Sequence, residues 1–214
     1  MSQTGSYFSS EVTFRILIQR VRFGLGGAAR KGASGGWTLE TLRNMALEQN
    51  FACAVVFLGG GSSIDAAKAI AMMVPNEGNY WDYIYGGTGG GQRMKNKPLP
   101  IVAIPTTAGT GTELDAWTVV TNEETKEKMS GGNKNTFPVL AIVDPNFMLS
   151  VPPKFTAYQG FDALFHSTES YINNTNNLMR DMLALKAIES VGQNLATACQ
   201  DGQNVQAREK VAYG

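Results

Sequence analysis

The chain has 214 residues, enough for one full domain or for one domain and part of another. Hydrophobic residues make up 43% and charged residues 17%, so a packed core is expected and wholesale disorder is excluded. The formal net charge is zero, and no apolar run is long enough to span a bilayer, so neither a nucleic-acid surface nor a membrane anchor is indicated.

Residues 1–36 differ from the rest. Arg15, Arg20, Arg22, Arg30 and Lys31 face a single acid, Glu11, in a Ser/Gly-rich context. Such a segment fits a poorly ordered leader or a foreign stretch. A transit peptide, and with it an organellar location, is the weaker alternative to a cytoplasmic one. From Trp37 the pattern becomes regular. Leu39, Leu42, Met45 and Ala46 recur at helical spacing, with Thr38 as the expected N-cap. Ala52 to Leu58 is a continuous apolar run that predicts a buried parallel strand. Gly59-Gly60-Gly61 ends it, and a helix follows from Ser62.

Residues 76–97, with Gly86-Gly87 and Gly89-Gly90-Gly91, predict a long surface loop with a short helix near Trp81. Pro100 to Ile104 is a second buried strand. Thr118 to Thr121 is strand-like, with Glu123 to Lys126 as its turn. Val139 to Val143 predicts another buried strand, stopped by Asp144-Pro145. After Pro152-Pro153 the chain reads as helices over 155–172, 178–197 and from 205 onward. The expected organisation is therefore an atypical leader over 1–36, an α/β domain over 37–150 and an all-helical region over 151–214. The two cysteines, Cys53 and Cys199, have no metal-type spacing and are expected as reduced thiols.

Two turns carry chemistry. Gly59-Gly60-Gly61-Ser62-Ser63 lies between a strand and a helix. Glycines let the backbone approach an anion, and the helix N-terminus favours negative charge there by roughly 0.3–1 kcal/mol. Ser62 or Ser63 could cap the helix or donate to a phosphate. Alone, this turn equally fits a tight connection without a ligand. Pro105 to Glu113 follows another strand and holds Thr106, Thr107, Thr110 and Thr112 with Gly109 and Gly111. Ligands of open parallel sheets lie beyond the carboxyl ends of the strands, so two hydroxyl- and glycine-rich turns there point to a ligand site. Asp162 and His166, four apart on a predicted helix, share one face and can share a divalent ion. Alone, such a pair more often makes a surface salt bridge or contains a satisfied core histidine.

The runs Gly59 to Asp65, Pro105 to Thr110 and Gly160-Phe161-Asp162-Ala163-Leu164-Phe165-His166, in this order, resemble the iron-containing (group III) alcohol dehydrogenase family. So do Pro98-Leu99-Pro100, Val143-Asp144-Pro145 and Ala207-Arg208-Glu209-Lys210. The resemblance covers about 37–214. It implies a Rossmann-like parallel-sheet dinucleotide-binding domain followed by the start of an all-helical metal-binding domain. It implies that Gly60, Gly61 and Ser62 hold the pyrophosphate of NAD or NADP, that Thr106, Thr107 and Thr110 contact the cofactor, and that Lys128 lies near its ribose. Asp162 and His166 would supply two of four ligands to Fe²⁺ (or Zn²⁺). The substrate would be a small primary alcohol or aldehyde, and the intact relative a homodimer or higher oligomer. His166 is the only histidine, and no counterpart of the family's first strand is recognisable in 1–36. Relative to the family the chain is thus expected to be shortened at both ends. The alternatives are an inactive nucleotide-binding remnant and a glycerol-dehydrogenase-like relative.

Overall fold

A computed structural model describes residues 16–18, 21–23, 55–175 and 177–214. The helix expected over 38–50, its Thr38 cap, and Cys53 lie outside these residues. The chain forms two compact units, one of Met1–Ile104 and Thr112–Ile142, the other of Pro105–Gly111 and Val143–Gly214.

Among the described residues the first unit is built on a five-stranded sheet. Its strands are β1 (Ile16–Ile18), β2 (Val21–Phe23), β3 (Val55–Gly59), β4 (Ile101–Pro105) and β7 (Leu140–Ala141), in the order β2-β1-β3-β4-β7. β4 and β7 run parallel, whereas β1 pairs antiparallel with both β2 and β3. Of the run expected as a buried parallel strand over Ala52 to Leu58, the part from Val55 is strand and extends to Gly59, but it pairs antiparallel with β1, and residues 52–54 lie outside the described ones. Its neighbour β1 makes the sheet mixed, an arrangement common where an antiparallel edge is added to a parallel sheet. The stretch expected as a buried strand at Val139 to Val143 is different. Only Leu140–Ala141 is strand, and Val139, Leu140 and Ile142 are exposed. Among the described residues it is an edge strand, held by Val139 N–H donating to the Ile101 carbonyl and Ile142 N–H to that of Ala103. An apolar run alone does not distinguish a central strand from an edge.

Helix α1 (Gly61–Met73) is apolar on nearly every side, and Ile64, Ala67, Ala69, Ile70, Ala71, Met72 and Met73 are all buried. Such a helix belongs to the core rather than the surface. The segment expected as a surface loop contributes to that core. Its short 3₁₀ helix, Tyr80–Tyr83, is where Trp81 predicted one, but Tyr80, Tyr83 and Ile84 pack with Met72 and Met73. The Tyr80 hydroxyl donates to the Thr118 carbonyl, and burial pushes its pKa up to about 12. Asn76 anchors the segment's other end: its side chain donates to the Met72 and Asn96 carbonyls and accepts from the Lys95 and Asn96 amides. A separate hairpin of β5 (Thr118–Asn122) and β6 (Glu127–Gly131) turns through Lys126, at φ +59°.

The second unit is helical: α2 (Pro153–Ile172), α3 (Leu178–Gln200) and α4 (Val205–Ala212). Pro153 opens α2 at a position where the missing N–H is no loss. Asn177 and Asn204 cap α3 and α4, accepting from the Arg180 and Ala207 amides. α2 and α3 pack closely because Gly160 leaves space for Leu195, which a Cβ there would overlap. Arg208 is buried and joins α4 to the start of α2. It donates to Thr156 Oγ1 at 2.6 Å, to the Val151 carbonyl at 2.8 Å and to the Gly202 carbonyl at 3.0 Å. The fold is α/β, a Rossmann-like sheet unit preceding a helical one.

Candidate functional site

In the first unit the glycine turn leads from β3 into α1. Gly60 occupies the N-cap in an extended conformation, and having no side chain it gives the helix no cap. Neither Ser62 nor Ser63 therefore plays the capping role open to it from sequence. No acidic residue occupies the first turn. Ser62 is exposed, whereas the Ser63 hydroxyl is buried and has no hydrogen-bond partner among the described residues. A helix start with uncapped N–H groups, no opposing carboxylate and an unused hydroxyl fits the diphosphate of a dinucleotide.

Just beyond the turn lies a network that sequence reasoning missed. Lys68 is fully buried, and its ammonium donates to Asp115 Oδ1 at 2.7 Å, Thr112 Oγ1 at 2.8 Å and the Trp117 carbonyl at 2.8 Å. Thr112 in turn donates to Asp65 Oδ1, and the Val119 amide donates to Asp65 Oδ2. Burial raises the Asp65 pKa, against the lowering effect of the Thr112 and Val119 hydrogen bonds. A buried ammonium is tolerated only when paired and hydrogen-bonded, and here all three of its protons are used. The i, i+3 spacing of Asp65 and Lys68 was the visible clue. Lys128 is exposed on β6, opposite Thr121.

In the second unit the structure brings the threonine turn and the metal pair together. Thr106 and Thr107 are half-buried and Thr110 is exposed. The Ala108 amide donates to Gln159 Oε1 of α2 at 3.2 Å, and His166 Nδ1 lies 3.1 Å from the Gly109 carbonyl oxygen. His166 Nε2 is 3.9 Å from Asp162 Oδ1, both side chains being about half exposed. Ligand bonds of about 2.0–2.2 Å set two donors of one tetrahedral ion roughly 3.4 Å apart. A small side-chain rotation would bring the pair to that separation, and a carboxylate with an imidazole is a donor set that suits iron or zinc. Among the described residues no group of three or more His, Cys, Asp or Glu side chains gathers at one point. Gln159, which steadies the turn, carried no signal in the sequence.

The sequence profile described as iron-containing alcohol dehydrogenase matches residues 31–145, and that described as Fe-containing alcohol dehydrogenase family, C-terminal, matches residues 156–214. The chain is 41% identical over 159 residues to alcohol dehydrogenase 4 of Saccharomyces cerevisiae, covering 74% of this chain and 40% of that protein. It is 39% identical over 159 residues to the 1,3-propanediol dehydrogenase of Klebsiella pneumoniae, with 74% and 40% covered. Among solved structures it is similar to the sulfoacetaldehyde reductase of Bifidobacterium kashiwanohense in complex with NAD⁺. That similarity has a TM-score of 0.76 and 34% identity, over 85% of this chain and 50% of the other. The chain thus spans 40% of the length of these two curated relatives. Two profiles match in tandem, and the motifs they cover are those that build both turns and the Asp162–His166 pair, so the chain belongs to the iron-containing alcohol dehydrogenase family.

Proposed function

We propose that this chain carries the nucleotide-binding part and half of the metal shell of an NAD(P)-dependent alcohol dehydrogenase acting on a small primary alcohol or its aldehyde. The observation that carries this reading is the placement of Asp162 and His166 side by side on α2, with the His166 ring against the threonine turn at Gly109. The backbone at Gly60, Gly61 and Ser62 receives the cofactor diphosphate, where uncapped N–H groups and the helix dipole meet its charge. Thr106, Thr107 and Thr110 offer hydroxyls to the cofactor, and Lys128 offers a cation to its ribose side. Asp162 and His166 hold Fe²⁺ or Zn²⁺. The bound metal supplies Lewis-acid polarisation of the substrate oxygen, and the nicotinamide supplies the hydride chemistry. The protein's contribution is orientation: a rigid, buried α1 behind the diphosphate, and a helix that fixes carboxylate and imidazole one turn apart.

Equilibrium dialysis with NAD⁺, NADP⁺, Zn²⁺ and Fe²⁺, on the wild type and on Asp162→Ala, tests the reading. Nucleotide binding should survive the substitution, and metal affinity should fall at least about tenfold. Unchanged metal affinity in the variant, or no nucleotide binding by a folded wild-type sample, would overturn it.

A further inference from the structure

We infer that Gly109 is a positioning residue for His166: its carbonyl sets the imidazole tautomer and so aims Nε2 as the metal-binding nitrogen. The inference rests on the metal role of His166 proposed above, but the tautomer is a property of the protein without metal. A carbonyl oxygen only accepts hydrogen bonds. The nitrogen 3.1 Å from the Gly109 oxygen must therefore carry the proton, so Nδ1 is the donor in the neutral ring. Nε2 then bears the lone pair, and it faces Asp162 Oδ1 at 3.9 Å. Two acceptors facing one another with no proton between them make a seat for a cation. An imidazole without such a partner prefers the opposite tautomer, with the proton on Nε2, so the carbonyl has to overcome an intrinsic preference.

The turn is built to hold that carbonyl in place. Gly109 has φ +100°, a region that side chains disfavour. A Cβ there would lie 2.7 Å from the Gln159 carbonyl oxygen and 3.1 Å from Asp162 Oδ2. The Ala108 amide is anchored one residue earlier by Gln159 Oε1. Glycine at 109 thus allows the turn to approach α2 closely enough for its carbonyl to reach the ring. A ligand histidine whose other nitrogen is fixed in this way binds more tightly, and loss of such a partner typically costs about 10–100-fold in metal affinity.

Because His166 is the only histidine, its ring nitrogens can be observed without assignment in a ¹⁵N-labelled sample. Long-range ¹H–¹⁵N correlation spectra of the metal-free protein at mildly alkaline pH should show a ring protonated at Nδ1, and addition of Zn²⁺ should shift Nε2. A ring protonated mainly at Nε2, or zinc bound through Nδ1, overturns the inference. A ring protonated at Nδ1 that ignores zinc would uphold it and count instead against the proposed metal role. Gly109→Ala should move the spectrum toward the Nε2-protonated form and lower zinc affinity about 10–100-fold. Gln159→Leu, which loosens the turn without adding a Cβ to it, should move both in the same direction to a smaller extent. A folded Gly109→Ala protein with wild-type tautomer and affinity would also overturn the inference.

Discussion

Glu113 shows how a single residue beside the first unit's buried network responds to pH. It is buried next to Thr112, and burial raises its pKa, with Asp115 adding to the rise and Lys68 opposing it. A carboxyl whose folded pKa lies above its unfolded value contributes stability that is full below the unfolded value. That stability is lost as pH rises through the raised one. Glu113 therefore opposes folding at neutral pH and ceases to do so under mild acid. Glu113→Gln removes the titration. Relative to this variant, the wild type should gain stability as pH falls from neutral toward the ordinary carboxyl value of 4.5. Urea denaturation at several pH values measures this, and parallel curves for the two proteins would refute it. The roles of Asp65 and Lys68 were only partly legible. Their spacing was visible in the sequence, but partners 44–54 residues away could not be.

At the scale of elements, the packing of α2 on α3 depends on Gly160. Leu195 occupies the space where its Cβ would stand. Alanine is the better helix former, by roughly 0.5–1 kcal/mol. Overpacking a tight contact costs about 1–3 kcal/mol, and here it should prevail because the overlap involves three Leu195 carbon atoms. Gly160→Ala should therefore lower the thermal midpoint. A midpoint at or above that of the wild type would show that Leu195 moves aside freely. Gly160 belongs to the same helical stretch as Asp162 and His166, so the glycine that permits the packing and the residues proposed above to hold a metal come from one motif. The sequence revealed the motif, but why it begins with glycine became clear only from its neighbour on α3.

For the molecule as a whole, exposed apolar side chains in the helical unit have a consequence in solution. Phe161 and Phe165 stand one turn apart on α2, their rings 6.4 Å apart, and both are exposed. Leu178, Met179, Met182 and Leu183 are exposed at the start of α3. Contiguous apolar surface of this kind favours association. The 214-residue chain by itself should sediment with a concentration-dependent mass. A compact monomer at all concentrations would contradict the expectation. No helix among the described residues is long and apolar enough to cross a membrane.

Local order is what the sequence determined alone. Apolar runs ended by glycine or proline marked β3 and β4, helical periodicity marked α2 and α3, and motif order pointed to the family. These are short-range properties, set by backbone geometry and by the period at which side chains meet a core. The tertiary structure decided everything that needs a distant partner. It made Val139 to Ile142 an exposed edge, drew Tyr80 and Tyr83 from an apparent loop into the core, and gave Lys68 its three acceptors. It also brought the Gly109 carbonyl to a histidine 57 residues away. An unpaired polar group and a satisfied one look alike in sequence; only the fold supplies the atom within hydrogen-bonding reach.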